Sequence, residues 1–408
     1  MTMWPKFSTK ISKLVLVISA ILVLFILYRQ AFNPLWRGHL EIDTWNYFLK
    51  VEDFIKTGSL FSTIGNEILP ATTLFLLIPG IFIPQPPFFY SAYLPAFFTL
   101  IIIVLICHVF LAAKYGSINQ AIIFLLLMLF FGPILLFRFD ALAALLVVLS
   151  LICFQQKKFL LSALFLGLVT SIKIYPLIFL PYLLLILFTQ HQRKLIVSYL
   201  SGFTISLILP VCIFLFYGGQ ASQIIAGLNF HALKPVSIES LPGSLITLSS
   251  LLTQGLPPPL VGGWGVWGVN APLNLFNKFW LLPVAIFYLF LLKNKTYLHQ
   301  ISFGVIFCLM ILFLIFSKNL HAQYIWWFLS LFPFIKFRSA HKLKYLFMIV
   351  LLIFIGIFNQ LVYPLFYTQF LEDFYQHNRQ YAVFSALLLR NWLIVTLLIL
   401  SLKYEFKK

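Results

Sequence analysis

This sequence predicts an all-α, polytopic membrane fold of about 12 helices (11–13), on the rule of roughly 20 residues per crossing. Three observations predict it. Of 408 residues, 62% are hydrophobic and 9% charged, with a mean hydropathy of +1.01, more apolar surface than a water-soluble fold can bury. The Leu/Ile/Phe runs lack the period-2 alternation of a membrane barrel, so backbone groups in the hydrocarbon must pair within each segment, as helices do. The basic residues, finally, come in small clusters between apolar runs. A formal charge of +18 distributed in this way is a topological signal, and no nucleic-acid partner is expected from it.

The apolar run Leu14 to Tyr28 follows Lys6, Lys10 and Lys13 with no small-residue cleavage site after it, and so reads as a retained first span. A long polar stretch, residues 29–70, comes next and holds five of the ten carboxylates. Within it Trp45, Phe48, Leu49, Phe54 and Ile55 approximate a helical stripe opposite Lys50, Asp53 and Lys56, which predicts an interfacial helix over 44–57. Further apolar segments fall near 70–84, 88–113, 119–136, 140–155, 159–172, 175–189 and 195–217. After a second long stretch, 218–278, come 279–292, 299–316, 322–335, 345–358 and 381–402. Cys107, Cys153, Cys212 and Cys308 all sit inside apolar runs at spacings unsuited to zinc or redox chemistry, so they read as packed or lipid-facing hydrophobes.

The positive-inside rule assigns Lys114, Lys157, Lys158, Arg193, Lys194, Lys293, Lys295, Lys336, Arg338 and both termini to the cytoplasmic face. Nine of the ten acids, all but Glu405, then lie on or open to the opposite face. One conflict of parity arises: full crossings at both 70–84 and 88–113 would place Lys114 outside. The Pro-bounded 70–84 segment is therefore expected to be re-entrant or to cross only half-way. No internal repeat is evident, and 1–408 reads as a single membrane-embedded domain.

Five constellations carry candidate chemistry. Glu41-Ile42-Asp43, just after His39, places two carboxylates within reach of one hydroxyl or one cation; in an extended segment they would face the same way, and the bland alternative is a solvated loop matched to Arg37 and Lys50. Arg138-Phe139-Asp140 and Lys173-Ile174-Tyr175-Pro176 put charges at the mouths of apolar segments. Such charges are costly unless they pair with each other or meet a ligand, and a phosphate would satisfy both cations. The stretch from His231 to Gly243 carries Lys234, Glu239 and Ser240. The Pro/Gly-rich 255–272 that follows contains Trp264 and Trp267, which suit either a sugar face or the lipid interface. Ser317 to Tyr324 concentrates polar groups, including Lys318, His321 and Gln323, in one short link. Arg390 has no nearby acid in sequence and must snorkel, pair with another helix or meet a head group. Asn294-Lys295-Thr296 matches the glycosylation pattern but falls on the cytoplasmic side.

In this order the pieces resemble the GT-C superfamily of membrane glycosyltransferases, especially the mannosyltransferase of GPI-anchor assembly and its prokaryotic relatives. Glu41-Ile42-Asp43 stands where that family has an Asp-x-Asp-type motif, and Asn66-Glu67-Ile68-Leu69-Pro70 resembles the family's lead-in to the second apolar segment. Arg138-Phe139-Asp140 is similar to an Arg-Gly segment, with Phe139 for Gly, while Lys173-Ile174-Tyr175-Pro176 matches as written. Glu239 to Leu245 and Phe316 to Trp327 also look like family signatures, although His321-Ala322 departs from the more usual Ser-Pro.

The resemblance implies an inverting transfer, on the external face, of a sugar from a polyprenyl- or dolichyl-phosphate carrier to an unidentified lipid, glycan or protein acceptor, with mannose the family's sugar. It implies Asp43 as general base, with Glu41 orienting the acceptor hydroxyl or joining Asp43 on a divalent cation (Mn or Mg). Arg138, Lys173, Lys234 and Lys318 become the donor-phosphate ligands. His39, Glu67, Asp140, Tyr175, His231, Glu239, His321, Gln323 and Tyr324 become substrate contacts. Compact loops suggest a bacterial or archaeal plasma membrane. Two other classes remain: a transporter or flippase for a lipid-linked or anionic solute, and a noncatalytic subunit that binds lipid carrier for a partner.

Overall fold

The computed structural model describes residues 9–58, 68–83, 89–263, 266–270, 280–337 and 342–406. It is 81% helical, so its architecture rests chiefly on helix packing. In chain order the first half gives α1 (Thr9–Ala31), α2 (Pro34–Thr57), α3 (Pro70–Ile81), α4 (Tyr90–Leu111), α5 (Ile118–Phe131), a four-residue α6 (Ile134–Phe137), α7 (Asp140–Gln155), α8 (Phe159–Ile172), α9 (Leu180–Thr189) and α10 (Arg193–Phe216). The second half gives α11 (Ala221–Leu233), α12 (Leu241–Gln254), α13 (Leu282–Lys293), α14 (Phe303–Phe316), a short α15 (Ile325–Leu329), α16 (Lys342–Gln360) and α17 (Tyr381–Glu405).

Among the described residues, five stretches are long and apolar enough to cross a membrane: Ile11–Ala31, Tyr90–Gly116, Arg193–Phe216, Lys342–Leu365 and Tyr381–Glu405. Large apolar side chains stand outward along them, such as Leu14, Ile21 and Phe25 on α1 and Val197, Ile205 and Leu209 on α10. A water-facing surface would not carry such continuous apolar faces. The other apolar helices are shorter. At 12 residues α3 is about 18 Å long, well short of the ~30 Å hydrocarbon.

Small residues let the central helices meet closely. A Cβ on Gly167 of α8 would lie 2.2 Å from the Phe203 carbonyl oxygen of α10, a separation only glycine permits. Ser150 of α7 donates to the Ser162 carbonyl of α8 at 2.8 Å, and the Ser162 hydroxyl meets the Tyr199 hydroxyl of α10 at 3.1 Å. In a setting without water these polar contacts fix the register of three apolar helices. The four cysteines are unpaired, Cys153 and Cys308 packed inside and Cys107 and Cys212 facing out, as their apolar surroundings predict.

The 29–70 stretch departs from expectation in extent. Asn33 accepts from the Leu35 amide at 3.0 Å, Pro34 opens the helix, and Gly58 closes it in the left-handed conformation, so one continuous helix runs from Pro34 to Thr57 rather than from residue 44. The second long stretch is also more ordered than a loop. It holds α11, α12 and a three-stranded antiparallel sheet, order β1-β3-β2, from Val236–Ser237, Leu260–Gly263 and Val266–Val269. This sheet is the exception to the all-α expectation. Its Val236 and Val269, with Ile238, pack on Val362, Phe370, Phe374, Phe384 and Leu387, which seats it on α17 and on the irregular segment after α16.

Candidate functional site

One large cavity, of about 780 Å³, opens at the end of the bundle where α7 begins and α8 and α14 finish. Helix α2 contributes His39, Ile42, Asp43, Asn46 and Tyr47. Their i, i+3, i+4, i+7, i+8 spacing is one face of a helix, and α2 turns that face to the cavity.

That helical geometry corrects the reading of Glu41 and Asp43 as a converging pair. Two residues apart on a helix, they lie roughly 200° apart around its axis. Glu41 instead takes a two-pronged contact from Arg37, one turn back, at 2.5 and 2.6 Å. Asp43 faces the cavity and is paired with the Arg138 guanidinium. The two acids thus point to different partners, and among the described residues no group of three His, Cys, Asp or Glu side chains is placed to hold a metal.

Arg138 lies in the extended link between α6 and α7 and also donates to the Tyr363 hydroxyl at 3.2 Å. Asp140 opens α7, where the helix N-terminus favours an anion, and accepts 2.7 Å from the Trp327 indole and 3.3 Å from the Lys173 ammonium. Lys173, at the extended end of α8, sits over the rings of Phe139 at 4.5 Å and Tyr324 at 5.6 Å. Burial pulls its pKa below the ordinary lysine value, while the Asp140 carboxylate opposes that fall. Tyr175 packs behind the cavity rather than lining it. Its ring stacks on Trp327 at 3.9 Å, and Trp327 stacks in turn on Tyr324 at 4.1 Å.

The second long stretch closes the opposite wall with His231, Lys234, Ser237, Glu239 and the β2–β3 hairpin. Gly262 pairs across the hairpin with Trp267, and a Cβ there would come within 2.9 Å of the indole. The missing side chain makes room for Trp267 to face the cavity. Trp264 and Glu67 lie outside the described residues. The link after α14 supplies His321, Gln323 and Tyr324 to the lining, but not Lys318, whose ammonium donates to the Ala232 carbonyl at the end of α11 at 2.6 Å. Removing that ammonium from the cavity wall corrects its expected place among the phosphate ligands.

Arg390 proves to be paired with an acid from elsewhere in the fold. It lies 3.6 Å from Glu239 Oε2, donates to the Glu239 carbonyl, and reaches Asn359 Oδ1 at 3.1 Å and Asn391 Oδ1 at 3.2 Å. His39 lines the cavity with Nε2 2.9 Å from the Thr368 hydroxyl, and burial lowers its pKa. Tyr363 and Tyr367 complete the wall and were not anticipated; the signal for them is two aromatics one helical turn apart in the polar link after α16.

Among the described residues the cavity thus sets Asp43, the best-exposed of three acids, beside three cations, Arg138, Lys173 and Lys234, with aromatic rings in its wall. Such a site can accept a proton from a hydroxyl while holding an anion close by. Residues 138–232 match the family model described as mannosyltransferase (PIG-M), a GT-C family domain. This segment runs from Arg138 through Lys173 to His231 and so covers two of the cations. No curated protein matches the chain.

Proposed function

Taking as premise that this chain is a multi-pass membrane glycosyltransferase with a GT-C mannosyltransferase segment, we propose that it moves a mannosyl unit from a polyprenyl-phosphate carrier to a hydroxyl acceptor, with inversion, in the cavity beside α2. The observation that carries this reading is the convergence of Asp43, Arg138, Lys173 and Lys234 from four separate parts of the chain on that cavity. A nucleotide donor would not need a site sunk into the end of an apolar bundle; a lipid-phosphate donor would, since its chain lies in the bilayer and its head group at the surface.

In this mechanism Asp43 takes the proton of the acceptor hydroxyl as that oxygen attacks the anomeric carbon. The bond from that carbon to the phosphate oxygen breaks, and the electron pair leaves with the carrier phosphate. Arg138 touches Asp43, so the two events are coupled: once Asp43 is protonated, the guanidinium is released from its partner and its charge serves the departing phosphate. Lys173 and Lys234 supply the rest of the positive field, in a setting that screens it less than water. Trp267, Tyr324 and Tyr367 offer ring faces to the sugar. Glu41, tied to Arg37, orients α2 rather than substrate. A divalent cation, if used, would need ligands beyond Glu41 and Asp43; chelator titration of turnover tests this.

The whole chain acts as one membrane-embedded domain of about 12 crossings. In this topology α3 enters only part-way, the cavity is external, both termini are cytoplasmic, and the setting is a bacterial or archaeal plasma membrane. Incubating the purified protein in lipid with radiolabelled polyprenyl-phosphate sugars and membrane extract tests the donor and acceptor together. Transfer from the mannosyl donor is expected. Transport of lipid-linked sugar across sealed vesicles, with no new glycosidic bond, would replace this reading with the flippase.

A further inference from the structure

His321 has no part in the mechanism above, yet its surroundings are specific. Its Nδ1 lies 3.7 Å from Glu239 Oε1. Glu239 is locked from behind, because Arg390 approaches its other oxygen at 3.6 Å and Asn391 donates to its carbonyl at 3.3 Å. The remaining ring nitrogen, Nε2, is buried and has no hydrogen-bond partner among the described residues, although the ring lines the cavity. A buried nitrogen left unpaired is costly, and one that faces a cavity is suited to a polar ligand atom.

The charged groups that act on this ring are Glu239, Lys234 and Arg138, and Tyr324 lies edge-on at 5.1 Å. Burial lowers the His321 pKa from 6.5, Glu239 raises it, and Lys234 and Arg138 lower it. The net lowering favours the neutral ring, and the nearness of Nδ1 to the Glu239 carboxylate favours the tautomer with Nδ1–H and a lone pair on Nε2. An anion placed among those cations would cancel their effect on the ring and favour its protonation.

We propose that His321 is a proton-gated arm of the phosphate site: arrival of the carrier phosphate draws one proton from solvent onto Nε2, which then donates to a phosphate oxygen while Glu239 holds Nδ1–H. The inference rests on the lipid-phosphate reading above and adds to it a stoichiometric proton. On release of the phosphate the proton returns to solvent, so the cycle balances. Donor binding thereby becomes pH-dependent through a residue that is not the base.

The test is calorimetric titration at pH 7 of the full chain in lipid nanodiscs with a short-chain prenyl-phosphate mannose. Running it in buffers of different ionisation enthalpy reads out protons directly. Wild-type protein should take up close to one proton on binding. His321→Gln, which keeps a donor but cannot titrate, should take up none and bind about tenfold or more weakly, the loss expected for a charge-assisted hydrogen bond. Donor binding by wild type without uptake, or equal uptake by His321→Gln, overturns the proton gate and leaves the donor assignment standing. Absence of donor binding by wild type overturns both. The wild-type titration decides the point even if the variant fails to insert.

Discussion

The buried cluster around Glu239 gives the sharpest stability prediction. Arg390 is fully enclosed in α17 and makes five polar contacts: the Glu239 carboxylate, the Glu239 carbonyl, Asn359 Oδ1 and two to Asn391 Oδ1. Arg390→Met preserves much of the volume but removes the cation. Glu239, itself 4% exposed, would then be a buried carboxylate whose other neighbour is the neutral ring of His321. Breaking a buried pair from one side costs about 3–5 kcal/mol, chiefly the penalty of the stranded charge. Glu239→Gln removes that charge, so the double variant should recover part of the loss. A coupling of about 1–3 kcal/mol is expected for side chains in direct contact. Denaturant-induced unfolding in mixed micelles, followed by near-ultraviolet circular dichroism on all four proteins, measures the cycle. Wild-type stability for Arg390→Met would refute the reasoning. So would a double variant whose loss equals the sum of the two singles.

Three further outcomes follow from the cavity and the bundle. Asp43→Asn should lower turnover by at least about 100-fold with donor binding retained, whereas Glu41→Gln should leave most activity; wild-type rates in Asp43→Asn would remove it as the base. Lys173→Gln should raise the apparent donor KM, while Lys318→Gln, whose ammonium holds the Ala232 carbonyl instead of facing the cavity, should change it far less. Reversed effects in steady-state kinetics would exchange their roles. Gly167→Val should push α8 from α10 and cost about 1–3 kcal/mol, because the Phe203 backbone cannot yield as a side chain would. An unshifted unfolding midpoint would show that the two helices slide freely.

The apolar segments were legible because hydrocarbon imposes a single rule on the backbone, and each predicted run from 70 to 402 contains a helix in the structure. The polar stretches were less so. Helix α2 hides its start in Asn33-Pro34, a capping signal that the amphipathic stripe over 44–57 overshadowed. Only in an extended frame do Glu41 and Asp43 share a side, and the helix that begins at Pro34 turns them apart. In the correct frame the cavity stripe from His39 to Tyr47 is already written in the sequence. The β2–β3 hairpin was obscured for the opposite reason: Gly262 and Gly263 depress strand propensity, yet glycine is what lets Trp267 lie across its partner strand.

Pairing was the part that local sequence could not supply. A charge inside an apolar segment announces that a partner exists, because the cost of solitude is high, but the partner's identity is set by tertiary contacts. Arg390 and Glu239 are 151 residues apart, and Arg138 meets an acid from α2. Resolving these pairs divides the cavity's ionic groups by the work each can do. Glu239 is paired with Arg390, and Asp140 is held by Trp327 and Lys173. Asp43 is paired with Arg138, the cation that the proposed mechanism assigns to the leaving group. A base whose counter-ion is wanted elsewhere at the moment of proton transfer costs little to neutralise, and under the proposed mechanism this distinguishes Asp43 from the two more deeply buried carboxylates.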